Sequence, residues 1–292
     1  MLQVVKRLTA IMAGVVAISG CNHLDLKGLV MPTGDGVDKR FEQSATMIKD
    51  MSIEGVDARE EYLFYVCADP HIDQTCENLT AFNDLLRGDA EASFGVVLGD
   101  CTDVRDNIQA YVAAVAYNPS RHTYNHNLFH ILGNHDLFFG GWTEFRDNIG
   151  PSVYWFEVAF AEGQDLYITL DTATGTLGRK QTEWLRLFLS KNRHKYRHCV
   201  VMTHTNFFYA DTTQTSSGNM PFEESFSLIN LFKKYNVSLV LQGHDHYRED
   251  IDCGSVRYVV VGTIRDKSKA PEYLKVKVSA EGVGLDWKLI SE

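Results

Sequence analysis

Five short polar blocks carry the residues of this chain that could do chemistry: Asp69-Pro70-His71, Gly99-Asp100, Gly133-Asn134-His135-Asp136, His204 and Gly243-His244-Asp245-His246. Asp, Asn and neutral His offer oxygen and nitrogen to divalent first-row metals. Seven such donors are enough to hold two ions. A pair of cations suits hydrolysis at phosphorus, where charge on the phosphoryl oxygens has to be neutralised.

Each block directly follows an apolar run: Tyr62–Ala68, Phe94–Leu98, Leu128–Leu132, Val200–Thr203 and Val237–Gln242. A run of four to eight apolar residues ending in Gly, Pro or Asp reads as a buried strand. The blocks therefore sit at the carboxyl ends of strands, where open α/β sheets place their ligand sites. Between them the spacing predicts helices over 75–87, with Thr75 as N-cap and Gly88 as the stop, and over 103–117, 142–148, 179–195 and 221–235. In the fourth of these, Trp184, Leu185, Phe188 and Leu189 are expected to face inward. Ser152–Phe160 and Leu166–Leu170 read as a strand pair. Three more strands, Arg257–Gly262, Tyr273–Val278 and Gly284–Ile290, close the chain. Alternating strands and helices followed by added strands predict an α/β fold, a sandwich of two sheets with helices outside. A chain of 292 residues, 45% hydrophobic, can bury such a core as one unit.

The first 20 residues are read as a leader rather than as part of the fold. Lys6 and Arg7 precede an apolar stretch, Leu8–Ile18, too short to span a bilayer. Ile18-Ser19-Gly20-Cys21 then resembles a bacterial lipobox, with Cys21 lipidated as the new amino terminus. The expected organisation is residues 1–20 as a lipoprotein signal peptide, 21–58 as a lipidated tether and lead-in with one short helix over 41–51, and 59–292 as the enzyme domain. The expected place is the cell envelope, lipid-anchored on the periplasmic side or the cell surface. Removing Lys6 and Arg7 with the leader moves the formal charge from −10 to −12. So acidic a chain is not expected to bind nucleic-acid backbones. The five cysteines other than Cys21 are an odd, scattered set, and buried free thiols are expected in preference to a Cys67–Cys101 bridge.

In pattern and order the five blocks resemble those of the calcineurin-like metallophosphoesterases: Asp-x-His, Gly-Asp, Gly-Asn-His-(Asp/Glu), a lone His, and Gly-His-x-His. The resemblance implies the αββα fold of that family and two divalent ions, with Mn, Fe, Zn and Ni all compatible with the donors. It implies that Asp69, His71 and His246 hold one ion and Asn134, His204 and His244 the other, with Asp100 bridging both. It further implies a metal-bridging hydroxide as nucleophile, His135 as the acid that protonates the leaving oxygen, and Asp136 as the carboxylate that orients His135. Asp245 is read as a solvated spacer. His23, His122, His126, His130, His194 and His198 fall outside the blocks and are read as surface or packing residues.

Departures narrow the family. Protein Ser/Thr phosphatases carry Gly-Asp-x-Val-Asp-Arg-Gly and Gly-Asn-His-Glu, against Gly99-Asp100-Cys101-Thr102-Asp103-Val104-Arg105 and Gly133-Asn134-His135-Asp136 here. Purple acid phosphatases place a tyrosine three residues after the bridging Asp. Asp103 stands in that slot, so no tyrosinate-to-iron colour is expected. The substrate is expected to be a phosphorylated small molecule or lipid, a phosphomonoester or phosphodiester and nucleotides among them. Phe207, Phe208 and Tyr209, on the loop after His204, are candidates to meet it, or else pack that loop; Trp142 and Phe138-Phe139 invite the same two readings. A pyrophosphatase on nucleotide-sugar or lipid-linked diphosphates is the second enzymatic reading, and a non-catalytic metal-holding envelope protein the reading from another class. Nothing in the chain specifies an oligomeric state.

Overall fold

The computed structural model describes residues 35–73, 75–115, 127–208 and 220–291, together with the backbone of 117–118 and 123–124. Cys21, and with it the lipobox, lies outside the described residues, as does Tyr209.

The described chain opens with α1 (Val37–Met47), a short strand β1 (Val56–Asp57) and β2 (Tyr62–Cys67). Then come α2 (Glu77–Gly88), β3 (Ala92–Val97), α3 (Ile108–Ala114) and a small hairpin of β4 (Tyr117–Asn118) with β5 (Thr123–Tyr124). After β6 (Leu128–His130) and α4 (Gly141–Asn148), β7 (Tyr154–Phe160) pairs antiparallel with β8 (Gly163–Thr169). Next follow α5 (Gly178–Asn192), β9 (Cys199–Met202), α6 (Phe222–Lys234) and β10 (Leu239–Gln242). The chain closes with β11 (Glu249–Cys253), β12 (Val256–Val260), β13 (Glu272–Ser279) and β14 (Gly282–Leu289).

Two sheets result. One has the order β1-β7-β8-β9-β10-β12-β11 and the other β14-β13-β2-β3-β6. The strands that lead into the polar blocks run parallel to their neighbours: β2 beside β3, β3 beside β6, β9 beside β10. Largely buried on both faces, such strands are mostly apolar, which is why each appears in the sequence as an apolar run. Parallel direction also brings all five carboxyl ends to one edge of the sandwich.

The core between the sheets is aromatic. Phe64 stacks on Phe94 at 4.6 Å, Phe129 on Phe156 at 3.7 Å, and Tyr167 on Phe156 at 5.0 Å. These rings come from both sheets, so their packing sets how one sheet lies over the other. A second core joins the smaller sheet to α2, α3 and α4, through Phe82, Tyr111 and Trp142 among others. A third joins the larger sheet to α5 and α6, where Leu185, Phe188 and Leu189 are buried and Trp184 is partly so. The order of layers is helix, sheet, sheet, helix, as expected. The described cysteines are free, with Cys67 and Cys101 buried.

Several local expectations shift for physical reasons. The helix expected over 103–117 is a 3-10 turn at Arg105–Asn107 followed by α3, because Asp103 turns into the site instead of starting the helix. Thr75 does not cap α2. The amides of Glu77 and Asn78 are received by the Asp266 carboxylate, at 3.1 and 2.8 Å, from a loop far along the chain. The helix expected over 41–51 begins earlier, at Val37, and residues 35–57 are built into the body. Arg40, fully buried, forms a two-pronged ion pair with buried Asp171, at 2.8 and 2.9 Å. β1 pairs with β7. β11, an edge strand of mixed polarity (Glu249–Cys253), shows no apolar run and is not among the expected strands.

Candidate metal centre

The carboxyl ends of β2, β3, β6, β9 and β10 bring Asp69, His71, Asp100, Asn134, His204, His244 and His246 together. Five of the seven, Asp69, His71, Asp100, His244 and His246, have left-handed backbone, with φ between 45° and 76°. Non-glycine residues adopt this region at a cost, and such strain gathers where a side chain has to be aimed. Each of these residues lies within four residues of the end of β2, β3 or β10, where the regular strand has stopped.

The donors fall into two groups with one shared member. In the first, His71 Nε2 lies 2.9 Å from His246 Nε2, 3.9 Å from Asp69 Oδ1 and 3.4 Å from Asp100 Oδ2. In the second, Asn134 Oδ1 lies 2.9 Å from both His204 Nε2 and His244 Nδ1, and His204 Nε2 lies 3.4 Å from Asp100 Oδ1. Asp100 thus turns one oxygen to each group. Asp69 Oδ1 is buried and receives no hydrogen bond. Imidazole nitrogens facing one another around an unpartnered buried carboxylate oxygen are the donor set a cation would organise, so these residues fit a metal pair.

Outer contacts hold the rings. His204 Nδ1 is 2.8 Å from the Leu98 carbonyl oxygen, and His71 Nδ1 is 2.9 Å from Asp103 Oδ1. Each leaves the opposite ring nitrogen free to ligate. The His204 amide donates to Thr172 Oγ1, whose residue follows Asp171, so the Arg40–Asp171 pair supports this turn from behind.

The electrostatics favour ionised carboxylates. Burial pushes the pKa of Asp100 up, but His204, His135 and His71 outweigh it and hold the group well below the ordinary range. The same contest leaves Asp69 lowered, through His246 and His204. Burial tends to lower His204, yet Asp100 and Asp69 raise it to about 10. His244 is lowered by burial and by the charge of His204. The two acidic donors are therefore in the protonation state that cations require, whereas His204, charged by these carboxylates, would give up its proton to a bound cation.

Two glycines are needed by this geometry. A Cβ on Gly99, whose φ is 89°, would lie 2.5 Å from His204 Nδ1. A Cβ on Gly133 would overlap the amide and carboxylate of Asp100. Gly133→Ala should therefore displace the shared carboxylate. The expected result is a loss of bound metal and a fall in kcat/KM of roughly 10–100-fold, the range for removing a group that supports a ligand. Metal-to-protein ratio and steady-state kinetics check this.

Other expected site residues sit elsewhere. Asp136 does not reach the His135 ring. Its buried carboxylate accepts the amides of Gly133 and Thr102, at 2.9 and 3.1 Å, and braces two of the ligand loops together. Burial and the Asp100 charge push its pKa up. The carboxylate beside His135 is Asp103, with Oδ1 3.6 Å from His135 Nδ1. Its only sequence signal is its position three residues after Asp100. Phe207 is buried against Phe232 and Tyr258, and Phe208 packs edge-on to Tyr258 at 5.0 Å, so both rings pack onto the body. Trp142 and Phe138 are buried, whereas Phe139 is exposed. Asp245 is no spacer: it accepts Asn206 Nδ2 at 2.7 Å and ties the last block to the loop after His204.

A family model for calcineurin-like phosphoesterases matches residues 62–248, which hold all five blocks. The chain belongs to this family. It is a hydrolase of phosphoester bonds, of a family that depends on dinuclear metal. No curated protein matches the phosphoesterase by sequence. Solved structures similar to it share the fold at low identity. The Plasmodium protein GAP50, "the anchor in the inner membrane complex", is 13% identical over 80% of this chain and 86% of that one, with a TM-score of 0.58. A dimetal phosphatase from Danio rerio is 13% identical over 78% and 98%, with a TM-score of 0.56. The purple acid phosphatase PPD1 from yellow lupin is 13% identical over 80% of this chain and 52% of that one, with a TM-score of 0.61.

Proposed function

We propose that this phosphoesterase is a dinuclear enzyme that hydrolyses phosphomonoesters or phosphodiesters, nucleotides among them, with His135 as general acid. The observation that carries the reading is the Asp100 carboxylate, with one oxygen 3.4 Å from His71 Nε2 and the other 3.4 Å from His204 Nε2. A carboxylate is the side chain that can serve two cations with separate oxygens. When bound, the two cations would supply Lewis acidity to the phosphoryl group and activate the attacking water. Asp69, His71 and His246 would hold one, Asn134, His204 and His244 the other, and Asp100 both. Mn, Fe, Zn and Ni ions all suit these donors.

His135 stands apart from both groups. Its amide donates to Asp100 Oδ1 at 2.8 Å, which fixes its backbone over the shared ligand. Its ring meets His71 edge-on at 4.5 Å, is 23% exposed, and has Asp103 beside Nδ1. An imidazole so placed can hold a proton, with Asp103 balancing the charge, and deliver it to a leaving oxygen at the mouth. His135→Ala should keep its metal and lose about 10²–10⁴-fold in turnover. The loss should be largest for alkyl phosphates and smallest for p-nitrophenyl phosphate, whose leaving group needs no proton. Equal losses across that series would exclude His135 as the acid. The reading as a whole is tested by turnover of mono- and diester probes with Mn²⁺ and its abolition by chelator.

Attachment to a membrane through Cys21 on the outer side of the cytoplasmic membrane is part of the same proposal. It is supported by the basic start, the apolar stretch and Ile18-Ser19-Gly20-Cys21. Among the described residues no helix is long and apolar enough to cross a membrane.

A further inference from the structure

The loop between β12 and β13 brings one arginine to the mouth of the site and fixes it there. Arg265–Ser268 form a turn closed by the Ser268 amide on the Arg265 carbonyl oxygen at 2.8 Å. On one side the loop is pinned to the first ligand block. Thr263 Oγ1 donates to the Asp69 carbonyl oxygen at 2.7 Å and accepts the Arg265 amide at 3.0 Å, and the Ile264 amide donates to the Ala68 carbonyl oxygen at 3.0 Å. On the other side it is pinned to α2, where Asp266 receives the first amides and Asn78 Nδ2 donates to the Arg265 carbonyl oxygen at 3.1 Å. A side chain on so restrained a loop loses little further freedom when it binds something.

The Arg265 guanidinium donates through Nη2 to Asp103 Oδ2 at 3.0 Å. The other oxygen of Asp103 is 2.9 Å from His71 Nδ1 and 3.6 Å from His135 Nδ1. Arg265 and His135 therefore flank a single carboxylate. An arginine has five N–H donors in a planar fork, and the pairing with Asp103 takes one of them. About a third of the side chain is exposed, at 32%. Asp103 is already anchored by His71, so holding it does not call for a fork. What the fork matches is a phosphate, which it can grip with two parallel hydrogen bonds.

We propose that Arg265 binds an anionic group on the leaving side of the scissile bond, so that the favoured substrates are diphosphates or esters whose departing fragment carries its own phosphate. The inference rests on the reading of His135 as proton donor, because the group that shares Asp103 with His135 lies on the side where the product departs. For a diphosphate, oxygen from water joins the attacked phosphorus and the bond from that phosphorus to the bridging oxygen breaks. The bridging oxygen takes the His135 proton and leaves as a phosphomonoester held by Arg265. The proton released by water returns through solvent to His135.

The test uses the metal-loaded full chain with ADP, whose departing group is AMP, and p-nitrophenyl phosphate, whose departing group carries no phosphate. In Arg265→Gln the ratio of kcat/KM for ADP to that for p-nitrophenyl phosphate should fall at least about tenfold, mainly through KM, as for loss of a charge-assisted hydrogen bond. Arg265→Lys should fall between parent and Gln. Inhibition of aryl phosphate hydrolysis by AMP should weaken by a similar factor, and the metal-to-protein ratio should match that of the parent. If both substrates fall in parallel, with or without loss of metal, Arg265 acts only through Asp103 and the inference is overturned. A parent enzyme that hydrolyses p-nitrophenyl phosphate but not ADP overturns it too, while leaving the phosphoesterase reading in place. A parent that turns over neither ester with metal overturns that reading itself.

Discussion

Asp100→Ala is expected to lose bound metal and catalysis together while keeping the native circular dichroism spectrum. Every other donor serves one group, whereas Asp100 faces both, at 3.4 Å from His71 Nε2 and 3.4 Å from His204 Nε2. On the proposed assignment, its removal would take a ligand from each ion and the negative charge that would let two cations sit side by side. The fall in kcat/KM should exceed the 10–100-fold typical of an outer supporting group, reaching on the order of 10³-fold. The metal-to-protein ratio should drop below one. The fold should survive, because Asp100 ends a strand whose core contacts come from Phe94 and Val96, not from the carboxylate. If the variant hydrolysed aryl phosphates at the parent rate with its metal content unchanged, the shared-ligand mechanism would be wrong.

Arg40→Met should be the most destabilising single replacement of a polar residue. Arg40 and Asp171 are both fully buried, and the guanidinium meets the carboxylate through two hydrogen bonds at 2.8 and 2.9 Å. Removing one partner leaves a charge in the interior with no counter-charge, which costs about 3–5 kcal/mol. A double variant, Arg40→Met with Asp171→Leu, should recover much of that loss, since no buried charge is then stranded. Urea unfolding of the three variants separates these outcomes, and a loss below about 1 kcal/mol for Arg40→Met would show that solvent reaches the pair. Activity should fall as well. Thr172, next to Asp171, takes the amides of His204 and Thr205 and lies 2.5 Å from the Thr203 hydroxyl, so a displaced Asp171 moves a ligand turn.

The readable part of the site was the part carried by strands. Tyr62–Ala68, Phe94–Leu98 and Val237–Gln242 stand out because parallel strands buried on both faces are predominantly apolar, and the polar blocks stand out because those runs stop at them. Asp103 was unreadable as the partner of His71, His135 and Arg265. Nothing local distinguishes it from the first residue of a helix, and sequence adjacency favoured Asp136 for His135. Adjacent residues in a tight turn point apart, however, and Asp136 turns back to the amides of Gly133 and Thr102. The cap of α2 was hidden for a related reason: Thr75 is the local candidate, but Asp266 arrives there only once β13 has joined β2.

The amino-acid sequence by itself determined which donor types this protein has and their order, and that each hangs from the end of a buried strand. Those properties belong to short stretches of chain and to the need to keep polar atoms out of a sheet interior. Only the tertiary structure decided which donors meet. His71 faces His246, Asp100 is shared, and Arg265 shares Asp103 with His135 because two sheets stack through Phe64, Phe94, Phe129 and Phe156 with their strand ends on one edge. That stacking is a sum of contacts between residues far apart along the chain, and no local pattern records it.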